Sequence, residues 1–273
     1  MTAAEKELEL RRLLRSLDAL AVAYSGGVDS TYLLKIAAEE LGDQALGITA
    51  ISSTYPERER QRAESIVQQI AARHIYIHTK EIGNSAFSSN NPDRCYHCKK
   101  ELFRKIREVA VEQGIQHIAD GSNQDDNSDY RPGRKALQEL EVLSPLEQCG
   151  FTKDDIRLRS RELGLPTWDL PAFACLASRI PYGKPITEKS LRRIEAAEDA
   201  LYRLGFRVVR VRHYDETARL EIGVDEIPRM LDQAIREQVV ENLKIAGYTF
   251  VTLDLEGYRT GSMNRMLTPG EKT

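Results

Sequence analysis

The feature that most constrains this chain is a glycine-rich turn near its N-terminus, in the stretch AVAYSGGVDS that ends at Ser30. Its apolar residues predict a buried strand that runs directly into a Ser-Gly-Gly turn and then into a helix predicted over 30–41. Gly26 and Gly27 can adopt backbone angles closed to other residues, and they let a ligand approach the main chain closely. The hydroxyls of Ser25 and Ser30 and the free N–H groups of the first helical turn favour a bound anion.

The turn differs from two common phosphate-binding motifs. A Walker loop would end in Gly-Lys-Ser or Gly-Lys-Thr, and a dinucleotide fingerprint would have three spaced glycines. SGGVDS instead resembles the pyrophosphate loop of ATP pyrophosphatases, which split ATP into AMP and pyrophosphate while activating a substrate oxygen as an adenylate. The alternative is a glycine-rich strand-to-helix turn without a ligand.

The pyrophosphate-loop resemblance implies that the turn cradles phosphates and that Asp29 helps to hold Mg²⁺, a hard cation that takes oxygen ligands. It implies ATP contacts from Ala23, Ser25, Gly26, Gly27, Asp29, Ser30, Ser52, Gly121 and Asp126.

The composition predicts a globular protein, with 41% apolar and 30% charged residues among 273. A mean hydropathy of −0.46 and the lack of a long apolar run indicate no membrane segment. The first residues, MTAAEKELELRRLL, predict an amphipathic helix rather than a signal peptide, so we expect a cytoplasmic protein. A net charge of −3 argues against a broad nucleic-acid-binding surface.

The first half of the chain alternates apolar strand candidates with amphipathic helices, which predicts an α/β fold with a parallel sheet covered on both faces. The pyrophosphate-loop resemblance implies the adenine nucleotide alpha hydrolase type of this fold. The helices of this half are predicted over 4–17, 30–41, 57–72 and 95–112, and the strands over 19–24, 44–51, 74–79 and 115–120.

The remaining chain predicts an irregular, proline-rich connector and a small α+β domain. Its helices are predicted over 152–163, 187–203 and 225–246, and its strands over 206–213, 217–222 and 248–254. We therefore divide the chain into a pyrophosphate-loop domain over 1–140, a connector carrying Cys175 over 141–185, and a substrate-binding and oligomerisation domain over 186–273.

Three loops follow predicted strands, over 52–56, 80–94 and 121–133. In open α/β sheets, ligands bind at the carboxyl ends of the strands, so the first of these loops, with Ser52, can meet the nucleotide. The last is rich in Asp and Asn and alone would indicate a solvated acidic loop. It resembles the Gly-Ser/Thr-Asn-x-x-Asp segment of ATP pyrophosphatases, which implies contributions from Gly121 and Asp126.

Four cysteines are too few for a secreted disulfide scaffold, and in a reducing compartment such residues more often bind metals or act in catalysis. Cys95 and Cys98 open a predicted helix, where the local positive potential favours thiolates. Their Cys-x-x-Cys spacing suits half a zinc site, a redox disulfide or two ligands of an iron–sulfur cluster. Cys175 lies on the connector beside polar residues that indicate a site loop, whereas the surroundings of Cys149 favour a structural role.

Arg210 and Arg212 alternate along a predicted strand and therefore project from one face. Glu221 lies on the next predicted strand, over 217–222, and Glu198 lies on the helix predicted over 187–203. Two guanidinium groups on one face suit a phosphate or a carboxylate, because each can bind such a group through two hydrogen bonds. A surface ladder of salt bridges is the alternative.

Four segments together resemble one family: SGGVDS, DYRPGRKA, ACLASRIPYG and RVRHYDETARLEI. They are similar to the ATP-dependent sulfur transferases that mature the nickel-pincer nucleotide of lactate racemase, and the similarity runs from about residue 15 to Met263. The resemblance implies conversion of pyridinium-3,5-biscarboxylic acid mononucleotide to the bisthiocarboxylic acid mononucleotide. Each carboxylate would be adenylated by ATP with release of pyrophosphate, and a sulfur nucleophile would then displace AMP.

Members of this family differ in cysteine use, and a chain with Cys95, Cys98 and Cys175 resembles the three-cysteine type. That type implies a [4Fe-4S] cluster on three thiolates, whose fourth iron delivers hydrosulfide from a sulfide source. In the other type one connector cysteine, here Cys175, gives up its own sulfur. The resemblance implies hexamers, catalytic roles for Cys175, Asp29, Ser178 and Arg179, and a substrate side with Arg210, Arg212, Glu198 and Glu221.

Three other functions use the same adenylating loop. A tRNA thiolase would need a broad basic surface, which the acidic balance argues against. An amide-forming enzyme that uses ammonia would leave the cysteines without a purpose. A nucleotide sensor without turnover is disfavoured by the intact Ser-Gly-Gly loop. We therefore expect a small-molecule mononucleotide as the partner, with no membrane and no nucleic acid.

Overall fold

The computed structural model describes residues 1–128, 132–171 and 173–268. In these ranges the α-helices are α1 (Ala3–Arg15), α2 (Val28–Leu41), α3 (Glu57–Gln69), α4 (Ser85–Ser88), α5 (Arg94–Glu112), α6 (Gly133–Glu139), α7 (Pro145–Gln148), α8 (Lys153–Glu162), α9 (Glu188–Arg203) and α10 (Gln233–Ile245). The strands are β1 (Leu20–Ala23), β2 (Ala45–Ile51), β3 (Arg73–His78), β4 (His117–Ala119), β5 (Val209–Tyr214), β6 (Thr217–Ile222) and β7 (Phe250–Leu253). None of these helices combines the length and the apolar character that crossing a membrane would require.

The chain forms two compact units, and each contains three separate stretches of sequence. The first unit comprises Met1–Ser52, Glu57–Glu81 and Cys95–Phe173. The second comprises Ser53–Pro56, Ile82–Arg94 and Ala174–Thr273, of which the structure describes residues up to 268. The domain limits derived from sequence, at 140 and 185, stay a prediction.

The first unit is built on a four-stranded sheet in the order β3-β2-β1-β4, and all of its pairings are parallel. Leu20 of β1 pairs with Ala45 on one side and with His117 on the other. The chain therefore adds strands to one side of β1 and then returns to its other side. Ligands of open α/β sheets bind at the carboxyl ends of the strands where the order reverses in this way, here between β1 and β4.

Apolar side chains cover both faces of this sheet. One face packs α1, α2, α3 and α8 around buried residues such as Leu14, Tyr32 and Phe151. The other face packs α5 and α6 through residues such as Phe103 and Leu137. Burying each large apolar side chain contributes about 1.5–3 kcal/mol, so the two faces supply the main driving force for this unit. The prediction of a parallel sheet with helices on both faces is confirmed.

The second unit is built on a three-stranded sheet in the order β5-β6-β7. β5 and β6 form an antiparallel hairpin, and β7 pairs with β6 in parallel. The apolar residues of α9 and α10 pack against this sheet around Leu201, Phe206 and Leu243. The capping box of Thr187 and Ser190 fixes the start of α9, because the Thr187 side chain accepts from the Ser190 N–H while the Ser190 hydroxyl receives the Thr187 N–H.

A buried asparagine joins two stretches of the second unit that are distant in sequence. The Nδ2 group of Asn90 donates to the carbonyls of Pro181 and Lys184, both at 2.8 Å, and its Oδ1 accepts from Arg94. Asn90 has a φ of 60°, in the left-handed region that Asn tolerates better than most residues. This residue therefore fixes the proline-rich segment that follows Cys175.

Several predicted elements needed correction. The helix predicted over 225–246 is two elements, a 3₁₀ helix over Val224–Leu231 and then α10. Pro228 lacks the N–H that an α-helix needs, and the Asp232 side chain caps α10 by accepting the Ile235 N–H at 3.0 Å. The short helices α4, α6 and α7 were not predicted, because their periodic patterns are too brief to detect.

The turn between β1 and α2 leaves no room for a side chain at its first glycine. Gly26 has a φ of 70°, and a Cβ built there would lie 2.7 Å from the Cβ of Ala63 on α3. Gly27 has a φ of −80°, and a Cβ built there would meet only the Ser25 Oγ, at 3.3 Å. The two glycines of the turn therefore have different structural requirements.

We expect Gly26→Ala to lower the free energy of unfolding, because the substitution adds both a left-handed alanine and a clash with Ala63. The combined cost should be about 2–4 kcal/mol. Urea denaturation of the nucleotide-free protein measures it. Gly27→Ala is the matched control and should cost about 1 kcal/mol or less. Equal costs for the two variants would contradict the assignment of the strained position to Gly26.

Candidate active site

The Ser-Gly-Gly turn forms a loop that we call the phosphate loop, residues 25–30. The Oγ atoms of Ser25 and Ser30 are 3.1 Å apart, and the Ser25 N–H donates to the Ser30 Oγ at 3.2 Å. Helix α2 begins at Val28, two residues earlier than predicted, with Gly27 as an N-cap that has no side chain. The N–H groups of the first helical turn therefore lack the usual side-chain cap, which leaves them suited to an anion.

The loop that follows β4 approaches the phosphate loop closely. A Cβ built on Gly121 would lie 3.0 Å from the Ser30 nitrogen and 3.2 Å from the Asp29 Cβ. Only a glycine fits here without displacement of α2. The structure thus brings together Gly121 and the phosphate loop, as the order of the parallel strands requires.

Asp126, unlike Gly121, bonds a residue of its own loop. Its Oδ2 accepts the N–H of Asn123 at 3.1 Å, so this carboxylate helps to fold the loop in which it lies. The neighbouring residues Asp129, Tyr130 and Arg131, which include the start of the DYRPGRKA segment, lie outside the described residues.

The remaining residues predicted to contact ATP lie at the same edge of the sheet. Ala23 is the last residue of β1 and pairs with Ile48, and Ser52 directly follows β2. Because β1 and β2 are parallel neighbours, both residues lie near the carboxyl ends of their strands.

Sequence reasoning missed two residues that contact Asp29. The Lys153 Nζ lies 2.5 Å from Asp29 Oδ2, and the Asn123 Nδ2 donates to Asp29 Oδ1 at 3.4 Å. Asn123 lies in the segment that was singled out, but Lys153 is 124 residues from its partner along the chain. No local pattern identifies such a contact, since it follows only from the packing of α8 beside α2.

Two of the predicted cluster ligands belong to the first unit. Cys95 and Cys98 lie near the start of α5, where Cys95 is exposed and Cys98 half-buried. Their i, i+3 spacing places both thiols on the same side of the helix. Cys175 belongs to the second unit, directly before the 3₁₀ helix Leu176–Arg179. None of these three cysteines is in a disulfide bond.

In the part of the chain that the structure describes, no three His, Cys, Asp or Glu side chains are grouped to hold a metal ion, and the three-cysteine site stays a prediction. Cys149 is half-buried against the core of the first unit, and this burial raises the pKa of its thiol. That environment fits the structural role expected for Cys149.

In the second unit, Arg179 joins the Cys175 segment to α9. Its guanidinium donates to both carboxylate oxygens of Glu198 at 2.8 Å, and it also donates to the carbonyls of Ala174 and Cys175 and to the Ser178 Oγ. Glu198 in turn accepts the N–H of Val211 on β5 at 2.9 Å. Arg179 is therefore occupied by bonds that shape the backbone around Cys175.

A second buried ion pair, between Arg212 and Glu221, joins β5 to β6. Arg212 donates to Glu221 at 2.6 Å, to the Ser178 carbonyl at 2.9 Å and to the Ser262 Oγ at 2.8 Å. Arg210 faces the ring of Tyr258 at 4.9 Å and donates to the Val209 carbonyl. We call Arg179, Arg210, Arg212, Glu198 and Glu221 the arginine site.

Charge and burial distinguish the arginine site from a surface ladder of salt bridges. Arg210 and Arg212 are only 5% and 4% exposed, which excludes the surface alternative. Burial, and then the neighbouring charge of Arg179, lower the pKa of Arg210. Buried guanidinium groups such as these suit a phosphate or a carboxylate.

The chain is similar to several known proteins. No protein-family model matches the chain. An uncharacterized protein of Synechocystis sp. is 41% identical over 97% of this chain and 99% of its own length. The GMP synthase of Aeropyrum pernix is 28% identical over 68% of this chain and 40% of its own length.

A relative with a named activity matches almost the whole chain. The pyridinium-3,5-bisthiocarboxylic acid mononucleotide synthase of Lactiplantibacillus plantarum is 35% identical over 99% of this chain and 98% of its own length. This match confirms the resemblance drawn from the sequence, and with it the assignment as an enzyme. The chain belongs to the family of pyridinium-3,5-bisthiocarboxylic acid mononucleotide synthases.

Proposed function

We propose that the protein inserts sulfur, at the expense of ATP, into pyridinium-3,5-biscarboxylic acid mononucleotide and forms the bisthiocarboxylic acid mononucleotide. The observation that carries the proposal is the full-length match to a synthase of that product. The phosphate loop and the arginine site support it, because the reaction needs one site for a nucleoside triphosphate and one for a phosphorylated acid.

The first half-reaction is adenylation. A substrate carboxylate oxygen attacks the α-phosphorus of ATP, and the bond to the β-phosphate oxygen breaks to release pyrophosphate. Ser25, Gly26, Gly27 and Ser30 bind the phosphates through hydroxyls and N–H groups, which stabilise the charge of the leaving group. The Asp29 carboxylate, beside these donors, suits Mg²⁺, and the ion when bound offsets phosphate charge.

The arginine site holds the substrate. We propose that Arg210 and Arg212 bind the phosphate of the mononucleotide, since guanidinium groups match phosphate geometry. Glu198 and Glu221 keep the guanidinium groups oriented, while Arg179 and Ser178 shape the backbone around Cys175. We also propose the cytoplasmic location and the hexamer that the family resemblance implies.

The second half-reaction replaces AMP by sulfur. Cys95, Cys98 and Cys175 are not in disulfide bonds, and thiolates are the ligands that iron–sulfur clusters take, so the donor chemistry fits a [4Fe-4S] cluster. When bound, such a cluster supplies an iron that carries hydrosulfide as the nucleophile. Cys175 as a sacrificial donor is the competing route.

The reaction itself is tested with ATP, Mg²⁺, sulfide and the biscarboxylic acid mononucleotide under anaerobic conditions. We expect a product heavier by the difference between sulfur and oxygen for each carboxylate converted, with one AMP and one pyrophosphate released for each. Release of AMP without sulfur in the product would contradict the proposal. If Cys175 loses the mass of hydrogen sulfide during turnover, the sacrificial route replaces the cluster route.

The cluster ligands are tested by iron and sulfide analysis after anaerobic reconstitution. We expect about four irons and four sulfides per chain in the unaltered protein, and a loss of most of them in Cys95→Ala, Cys98→Ala and Cys175→Ala. Cys149→Ala is the matched control and should keep a full cluster. Retention of the cluster by Cys175→Ala would contradict the three-ligand assignment.

Arg210→Met tests the arginine site. Loss of a charge-assisted hydrogen bond costs about 1.5–3 kcal/mol, so the KM for the mononucleotide should rise about 10–100-fold. Since the surroundings disfavour the charge of Arg210, the free energy of unfolding without substrate should stay equal or rise. Arg192→Met, on α9 and 70% exposed in a surface pair with Glu188, is the matched control and should change the KM little. An unchanged KM in Arg210→Met would contradict the role.

A further inference from the structure

Tyr24, the last residue before the phosphate loop, is held by hydrogen bonds from two neighbouring elements of the first unit. Its N–H donates to the Ile48 carbonyl at 2.9 Å, and its hydroxyl donates to the Ala63 carbonyl at 3.1 Å. Its own carbonyl accepts the hydroxyl of Thr49 at 2.7 Å. The position from which the chain enters the loop is therefore set by β2 and α3.

The peptide group between Tyr24 and Ser25 is bonded at both of its polar atoms. Its oxygen accepts from Thr49, and its N–H donates to the Ser30 Oγ at 3.2 Å. Because a peptide group is planar, a bond that fixes the carbonyl also fixes the direction of the N–H. Thr49 therefore orients the N–H that links the two serines of the phosphate loop.

A histidine of β3 completes this set of bonds. The His74 Nε2 lies 2.8 Å from the Thr49 Oγ1. A hydroxyl has one proton and a carbonyl oxygen can only accept, so the Thr49 proton goes to Tyr24 and Nε2 must donate the other bond. Burial lowers the pKa of His74 to about 4, against the opposing effect of the Glu64 charge, so the ring is neutral near pH 7. The hydrogen bonds thus run in one direction, from β3 through β2 to β1.

The space for this imidazole is provided by a glycine. The strand register sets Gly47 opposite His74 and Thr49 opposite Tyr76. A Cβ built on Gly47 would lie only 3.3 Å from the His74 Cδ2. The rings of Tyr24 and Tyr76 contact the imidazole edge to face, with centroids 5.5 and 4.5 Å away. The ring is therefore confined in an orientation that directs Nε2 at Thr49.

We infer that His74 is a positioning residue of the phosphate loop. By accepting no proton from Thr49 and donating one to it, His74 leaves the Thr49 hydroxyl a single role, which is to hold the carbonyl of Tyr24. The N–H groups and hydroxyls of the loop are then already oriented when ATP binds. This inference rests on the proposed function only in that ATP binds at the phosphate loop.

His74→Leu tests the inference, because leucine fills much of the space and removes the N–H. We expect binding of the non-hydrolysable analogue α,β-methylene-ATP, measured by calorimetry, to weaken about 3–10-fold, the effect of one hydrogen bond. His74→Gln can place an amide N–H near the position of Nε2 and should recover most of the affinity. In the pyrophosphate-release assay, the KM for ATP should rise more than kcat falls.

His117→Leu is the matched control. His117 is exposed on β4 and pairs with Leu20, the first residue of β1, so it lies at the other end of the strands from the phosphate loop. This variant should leave analogue binding unchanged. Urea denaturation separates positioning from packing. If His74→Leu lowers the free energy of unfolding but binds the analogue as tightly as the unaltered protein does, His74 is a core residue only and the inference is overturned.

A double-variant cycle tests whether His74 acts through Thr49. Thr49→Val removes the hydroxyl between the imidazole and Tyr24, and it should weaken analogue binding at least as much as His74→Leu does. We expect His74→Leu to have no further effect in that background. A full further loss would show that His74 acts by another route and would overturn the inference. An unaltered protein that binds no analogue would overturn the proposed function as well, whereas equal binding by His74→Leu and the unaltered protein overturns the inference alone.

Discussion

The phosphate loop depends on one steric constraint, the contact between Gly121 and the first turn of α2. The strand order β3-β2-β1-β4 places the carboxyl ends of β1 and β4 side by side, so the two following loops must share a narrow space. A side chain at Gly121 would press on the Ser30 nitrogen. Because both loops are held this closely, Asp29 can receive contacts from Asn123 and from Lys153 at the same time.

In the second unit, a buried ion pair rather than a glycine contact orders the loop around Cys175. Burial by itself would raise the pKa of Glu198, but the Arg179 charge and its hydrogen bonds lower it overall, so the carboxylate stays ionised. Such a buried pair offsets its desolvation cost only when its hydrogen bonds are complete. Here Arg179 bonds the backbone of the Cys175 segment and Glu198 bonds β5, so the pair orders a loop that has little regular structure of its own.

Much of the first unit could be predicted from the sequence, because parallel sheets leave long apolar runs and alternate with amphipathic helices. The contribution of Gly121 was implied by the resemblance of its loop to the Gly-Ser/Thr-Asn-x-x-Asp segment of ATP pyrophosphatases. The contact of Lys153 with Asp29 could not be predicted, since no residue near Lys153 in the sequence indicates that α8 packs beside α2. The break at Pro228 was missed because the amphipathic pattern continues across it. For Arg179, the sequence predicted a catalytic role, and the geometry shows a guanidinium bonded to Glu198 and to neighbouring carbonyls.

The two units alternate along the chain, which affects both how the protein folds during synthesis and how its gene can be divided. Each unit takes three stretches of sequence, so the chain passes from one to the other five times. The stretch Ile82–Arg94, which carries Asn90, is translated long before the segment around Lys184 that it binds. The second unit therefore cannot close until most of the polypeptide has left the ribosome, and no single gene fusion or deletion point separates a complete first unit from a complete second one.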